Sequence, residues 1–183
     1  MSQDRELRPV WDALVRVLHL GFIVGVAAAW LTRHRPGPWH EWIGYAVLAA
    51  LALRLAWGVV GPASARFAQF VRGPAATLRY AAGVANGRAP RYIGHNPLGG
   101  WMIVMLLTLL AIISASGWLS TTDRYWGIAW VMNVHLYATW ALLALLPLHI
   151  AGVVHASAKH RENLIAAMLH GRKRRASGDD VDL

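Results

Sequence analysis

Residues 135–149 read HLYATWALLALLPLH, thirteen mostly apolar residues with a histidine at either end. They belong to an apolar segment, about 129–154, that is long enough to cross a bilayer, which takes about 20 residues. An imidazole in hydrocarbon is costly without a partner, and intramembrane ionisable groups are rare and usually functional. On an α-helix fourteen residues advance about 21 Å and return to within roughly 40° of the starting direction. His135 and His149 therefore share one helical face at two depths. Each depth calls for a partner from another helix.

The composition supplies those helices. Of the 183 residues, 56% are hydrophobic and only 15% charged, a membrane balance rather than that of a soluble domain. Three further apolar segments have bilayer length, at about 15–31, 42–60 and 98–119. The expected fold class is an all-α integral membrane protein, a four-transmembrane-helix bundle. Asp12, Arg16 and His19 interrupt the start of the first segment, and Trp30 follows its alanines, so it reads as a retained helix rather than a signal peptide. The ten tryptophans gather near segment ends, as in an aromatic belt. With no cysteine in the chain, disulfides, thiolate-held iron–sulfur clusters and covalently attached haem are excluded.

The basic residues set the orientation. Fourteen of the eighteen Lys and Arg lie in the N-terminal part, the segment joining spans two and three, and the C-terminal region, and Arg54 lies near the same end of the second span. Only Arg33, Arg35 and Arg124 lie on the opposite side, so both termini are expected in the cytoplasm. No aromatic-studded basic groove is present, which argues against a nucleic-acid partner. Within the long connection, SARFAQFVRG (64–73) and PAATLRYAAGVANG (74–87) read as short amphipathic helices on the membrane surface, divided at Gly73–Pro74 and closed by Pro90. Residues 1–175 read as a single membrane domain, and the charged residues 176–183 as a disordered tail.

Depth then pairs the histidines. His19 lies a few residues into the first span, at the level of His149; His40 lies at the entrance of the second, at the level of His135. Two pairs at two depths, in a bundle without cysteine, suit two b-type haems with histidine axial ligands, His19/His149 and His40/His135. His34, farther from the helix proper, ranks behind His40. His95, before the third span, and His155, at the membrane edge, read as interfacial or solvated, as do His160 and His170 in the basic tail; His95 is also placed to approach the propionates of the inner haem. Arg16, one turn from His19, and Arg54, deep in the second span, read either as snorkelling to headgroups or as partners of haem propionates. Gly25, Gly44 and Gly152 leave room either for a macrocycle or for close helix packing. Pro147 is expected to kink its helix just before His149.

Four stretches together carry a resemblance: VWDALVRVLHL (10–20), HEWIGYAVLAALALRLAWGVVG (40–61), GHNPLGGWM (94–102) and HIAGVVHASAKHRENLIAAMLHGRK (149–173). They resemble the bacterial di-haem cytochrome b561 family, which includes the b-type cytochrome subunits of nickel–iron hydrogenases. The family's ligand positions fall on His19, His40, His135 and His149. The resemblance implies an inner-membrane protein that carries electrons through two non-covalent haem b groups between a redox partner and the quinone pool. The partner would be a periplasmic cytochrome or a hydrogenase-type protein, and the chain an electron carrier or a subunit of a quinone-linked oxidoreductase. The connection 120–128 is shorter than in many relatives and leaves a small external face for a docked partner. Two other classes stay open: a histidine-based transporter or proton relay, holding a metal such as zinc, and a non-redox membrane anchor. The spans offer hydroxyls at Thr108, Ser114, Ser116 and Thr139 but no mid-membrane acid.

Overall fold

The computed structural model describes residues 7–178 and 180–182. Strand β1 (Leu7–Pro9) leads into helix α1 (Ala13–Thr32). Helix α2 (Trp39–Val60) is followed by a 3₁₀ turn (Ala63–Ala65), a single helical turn α3 (Phe67–Phe70) and α4 (Pro74–Ala85). Helices α5 (Pro97–Ser120), α6 (Ala129–His160) and α7 (Leu164–His170) complete the helical part, and strand β2 (Arg172–Arg174) follows.

Four of these helices, α1, α2, α5 and α6, are long and apolar enough to cross a membrane. In their most apolar windows only 11, 22, 17 and 6% of residues are buried within the protein. The remaining apolar side chains lose nothing by facing lipid and would be costly against water. The chain is thus a multi-pass membrane protein, embedded in a lipid bilayer.

Local chemistry sets the helix ends. The Asp12 carboxylate accepts the Val15 N–H at 3.2 Å and the Trp57 indole N–H at 3.0 Å, capping α1 and tying it to the end of α2. Helix α5 starts at Pro97, where a missing N–H is harmless, and Asn96 Oδ1 accepts the Gly99 N–H at 2.8 Å. Helix α6 continues through Pro147 to His160, so His160 closes a helix rather than lying in the tail, and His170 likewise closes α7.

The segment 64–73 departs from the expected surface helix. Arg66 and Val71 are extended, and only Phe67–Phe70 is helical between them. The following stretch is helical as expected, but Asn86 and Gly87 (φ +71°) end it before Pro90 is reached.

The chain divides into two compact units. The first takes the described residues up to Arg16, Trp57–Ile103, and those from Leu148 onward. Here β1 and β2 pair antiparallel, with Leu7 opposite Arg174 and Pro9 opposite Arg172. Gly171 (φ +79°) ends α7, and its carbonyl accepts from both Val10 and Trp11 N–H. The HRENL stretch gains a structural role. Glu162 accepts from Arg91 (2.8 Å) and the Arg174 N–H (3.0 Å) and pairs with Lys173 (3.5 Å), while Asn163 caps α7 through the Ala166 N–H at 2.9 Å.

The charged C-terminal segment, expected as a disordered tail, makes specific contacts. Asp180 pairs with Arg91 at 2.6 Å, Asp182 with Arg8, and Val181 exchanges backbone hydrogen bonds with Arg91 and Ile93.

The second unit comprises Val17–Ala56 and Val104–Pro147. Its four helical segments form a bundle around Val47, Leu51, Leu110 and Leu142, flanked by Phe22, Val26 and Ile43. A Cβ on Gly25 would meet Val47 Cγ2 at 2.6 Å, so this glycine serves close packing of α1 on α2. Around Gly44 a Cβ would find nothing within 4 Å, and the same holds for Gly152 in the first unit. At neither position does packing demand a glycine.

Candidate functional site

Two imidazoles meet inside the second unit. The first turn of α2 supplies His40 and α6 supplies His135; their ring centres lie 6.1 Å apart with planes at 77°. Both rings are half-buried. Each is held by a main-chain carbonyl, His40 Nδ1–H donating to Ala29 O at 2.9 Å and His135 Nδ1–H to Ile113 O at 2.9 Å. This fixes both tautomers, with Nε2 unprotonated and carrying the lone pair. Among the described residues neither Nε2 makes a hydrogen bond.

Helix α5 shapes the seat of His135. The buried Ser116 hydroxyl donates to Ile112 O at 2.6 Å and lies 3.4 Å from His135 Nδ1. A Cβ on Gly117 would come within 3.1 Å of His135 Cε1, so the glycine lets α5 approach the ring without the crowding that a side chain would bring. Sequence reasoning singled out Ser116 only as a hydroxyl in a span and passed over Gly117. The signal available was the run of small residues, Ser114 to Gly117, in the most apolar helix. Ala29 and Ile113 act through carbonyls, for which a sequence carries no signal.

The pair suits a metal held between two rings. Imidazoles bonded to opposite sides of one metal, with nitrogen–metal bonds of about 2 Å, put their ring centres roughly 6 Å apart. A carbonyl on the far ring nitrogen is the usual support for a metal-bound histidine. A Cβ on Gly44, one turn from His40, would meet nothing within 4 Å, so the protein does not crowd that side of the ring, and the two histidines could serve as ligands of a haem iron.

The other predicted residues are placed as follows. His19 lies in α1 within the second unit and is half-buried, and His149 lies in α6 within the first unit and is half-buried. Arg54 is only 5% exposed, so its guanidinium is enclosed by protein instead of reaching out along the helix surface. Arg16, in the first unit, donates to Leu169 O at the end of α7, where Gly171 packs against its guanidinium. His34 is exposed. His95 sits between the rings of Trp11 and Phe70, with centroids at 4.4 and 4.6 Å. Among the described residues no three His, Cys, Asp or Glu side chains gather where they could hold a metal ion.

Paired imidazoles on neutral carbonyl anchors, within a bundle of membrane-length helices, could hold a metal group between them. The chain belongs to the prokaryotic cytochrome b561 family, whose model matches residues 10–171. No curated protein matches it. The protein is therefore a transmembrane b-type cytochrome acting in electron transfer, with haem b as its cofactor.

Proposed function

We propose that the protein holds two haem b groups, one on His40 and His135 and one on His19 and His149, and links a redox partner to the quinone pool of the bacterial inner membrane. The observation that carries this reading is the His40/His135 pair, with 6.1 Å between ring centres and both Nδ1–H groups turned onto carbonyls. Bound haem supplies one-electron chemistry at its iron. The protein's part is ligation, orientation and insulation.

Each residue has a defined task. Ala29 and Ile113 carbonyls hold the two rings in the tautomer that presents Nε2. Ser116 and Gly117 fix where His135 stands along α5. The neutral carbonyl anchors leave the imidazoles without the negative charge a carboxylate partner would add. The core around Leu51, Leu110 and Leu142 keeps water from the bundle. His149, fourteen residues along α6 from His135, recurs on nearly the same helical face about 21 Å away, which supports a second ligand position with His19 as its partner. Enclosure of Arg54 favours pairing with a haem propionate over snorkelling, whereas Arg16 is engaged at Leu169.

Reduction of the purified, haem-loaded protein by a quinol tests this function. A sharp reduced α-band that develops with quinol and is discharged by oxidised quinone is the expected result. A band that appears with dithionite and never with quinol contradicts the link to the quinone pool.

A further inference from the structure

We propose that the cavity between α7 and β2 binds the phosphate of an anionic phospholipid. It has a volume of about 200 Å³ and lies wholly within the first unit. Arg161, His170, Arg172 and Arg174 line it, along with Glu162 and Lys173. The last two are already paired with each other, and Glu162 also holds Arg91. The lining thus presents three guanidinium groups and no uncommitted carboxylate.

Arg174 also lies near the charge of Asp180, but most of these donors are uncommitted. Among the described residues the side chains of Arg161 and Arg172 make no hydrogen bond or ion pair, and both residues are exposed. The Nε of Arg174 is shut off from solvent and has no hydrogen-bond partner among the described residues. A buried donor in that state costs free energy unless a ligand meets it. His170 Nδ1 accepts the Arg172 N–H at 3.1 Å, so its hydrogen sits on Nε2, adding a further donor. Several N–H groups converging on one cavity recognise a phosphate, and guanidinium groups do so with two parallel bonds.

The cavity's surroundings select lipid as the source of that phosphate. Leu7, which lines the cavity, is 54% exposed, and Ile165 and Leu169, one turn apart on α7, are 59 and 58% exposed. An apolar helix edge beside a basic cavity belongs at the headgroup boundary, where acyl chains cover the leucine and isoleucine and the cations meet phosphate.

The test uses the haem-loaded, full-length protein, stripped of lipid in detergent and titrated with phosphatidylglycerol or phosphatidylcholine under native mass spectrometry. Phosphatidylglycerol is expected to bind at least about tenfold more tightly than phosphatidylcholine, and inorganic phosphate at the same concentration is expected not to displace it. Arg172→Gln is expected to weaken phosphatidylglycerol binding about fivefold, and joint replacement of Arg161, Arg172 and Arg174 by Gln more than tenfold. Replacing Arg79 and Arg88, cations outside the cavity, is expected to leave it unchanged. The reduced α-band reports folding; should the triple variant lose it, Arg172→Gln alone carries the comparison. Equal affinity for the two lipids, displacement by inorganic phosphate, or an equal loss from the Arg79/Arg88 variant overturns the proposal.

Discussion

The rings of His40 and His135 stand 6.1 Å apart between centres with their planes at 77°, and each donates its Nδ1–H to a backbone carbonyl on a neighbouring helix end or span. The two halves of this pair come from helices nearly a hundred residues apart in sequence, and each ring is held in one orientation by its own carbonyl. Such an anchor on the far ring nitrogen is the usual support for a metal-bound histidine.

The seat of His135 depends on Gly117. Gly117→Val places methyl groups where the ring stands, since even a Cβ lies 3.1 Å from Cε1 and 3.3 Å from Nδ1. We expect the variant to insert in the membrane normally and to lose about half of its haem. Equal haem content in variant and wild type would show that α5 does not position the ring.

Two glycines in the spans should part company. Gly25→Leu is expected to cost about 1–3 kcal/mol through overpacking against Val47, read as earlier thermal unfolding in detergent. A Cβ on Gly44 meets no protein atom within 4 Å, so the effect of Gly44→Ala should fall on haem content and not on the stability of haem-free protein. The opposite pattern would reverse the roles assigned to the two positions.

Glu162 is the hub of the first unit. Its removal in Glu162→Ala leaves Arg91, whose side chain is 4% exposed, short of one of its two carboxylates. Breaking a buried pair in this way costs about 3 kcal/mol or more. Limited proteolysis should then cut the chain after Gly171, at sites protected in the wild type. Unchanged protection would mean that the β1–β2 pairing holds this region without the ion pairs.

The same cluster fixes a pH dependence. Hydrogen bonds and charge from Arg91 and Lys173 hold the Glu162 carboxyl below its usual 4.5, and those from Ser177 and Arg91 hold Asp180 below 3.8, both against the opposing effect of burial. A carboxylate with a lowered folded value contributes stability that is complete above its unfolded value and is lost as pH falls through the folded one. Burial depresses Lys173, so that group favours docking more as pH rises toward 10.5. The protection factor of the Val181 amide, which donates to Arg91 O at 2.8 Å, should therefore stay high at pH 6–7 and fall below about pH 4, the observed rate being referred to the intrinsic rate at each pH. A protection factor that is equal at both would separate the tail's docking from these carboxylates.

Much of this was legible in the sequence, and the physics explains the boundary. The four long helices were visible because burial in lipid demands an unbroken apolar run, which leaves a strong local signal. That His40 and His135 lie close together was legible from topology and depth along the spans. The carbonyls of Ala29 and Ile113 were not legible, because every residue has a carbonyl and only the fold selects which one is met. The β1–β2 pairing was also hidden, since three-residue strands more than 160 positions apart carry no periodicity. Composition alone suggested disorder for 176–183; the contacts of Asp180 and Asp182 arise from Arg91 and Arg8, brought near by the fold. The helix expected at 64–73 shrank to one turn because Arg66 and Val71 take extended conformations.

The central claim is that two histidine pairs hold two haems in one chain. The direct measurement is the haem-to-protein ratio by pyridine haemochrome assay, in wild type and in His135→Ala. The account predicts about two haems b per wild-type chain, by the four-ligand assignment, and about one in the variant with its reduced α-band retained. One haem in the wild type, or a ratio unmoved by His135→Ala, would contradict it.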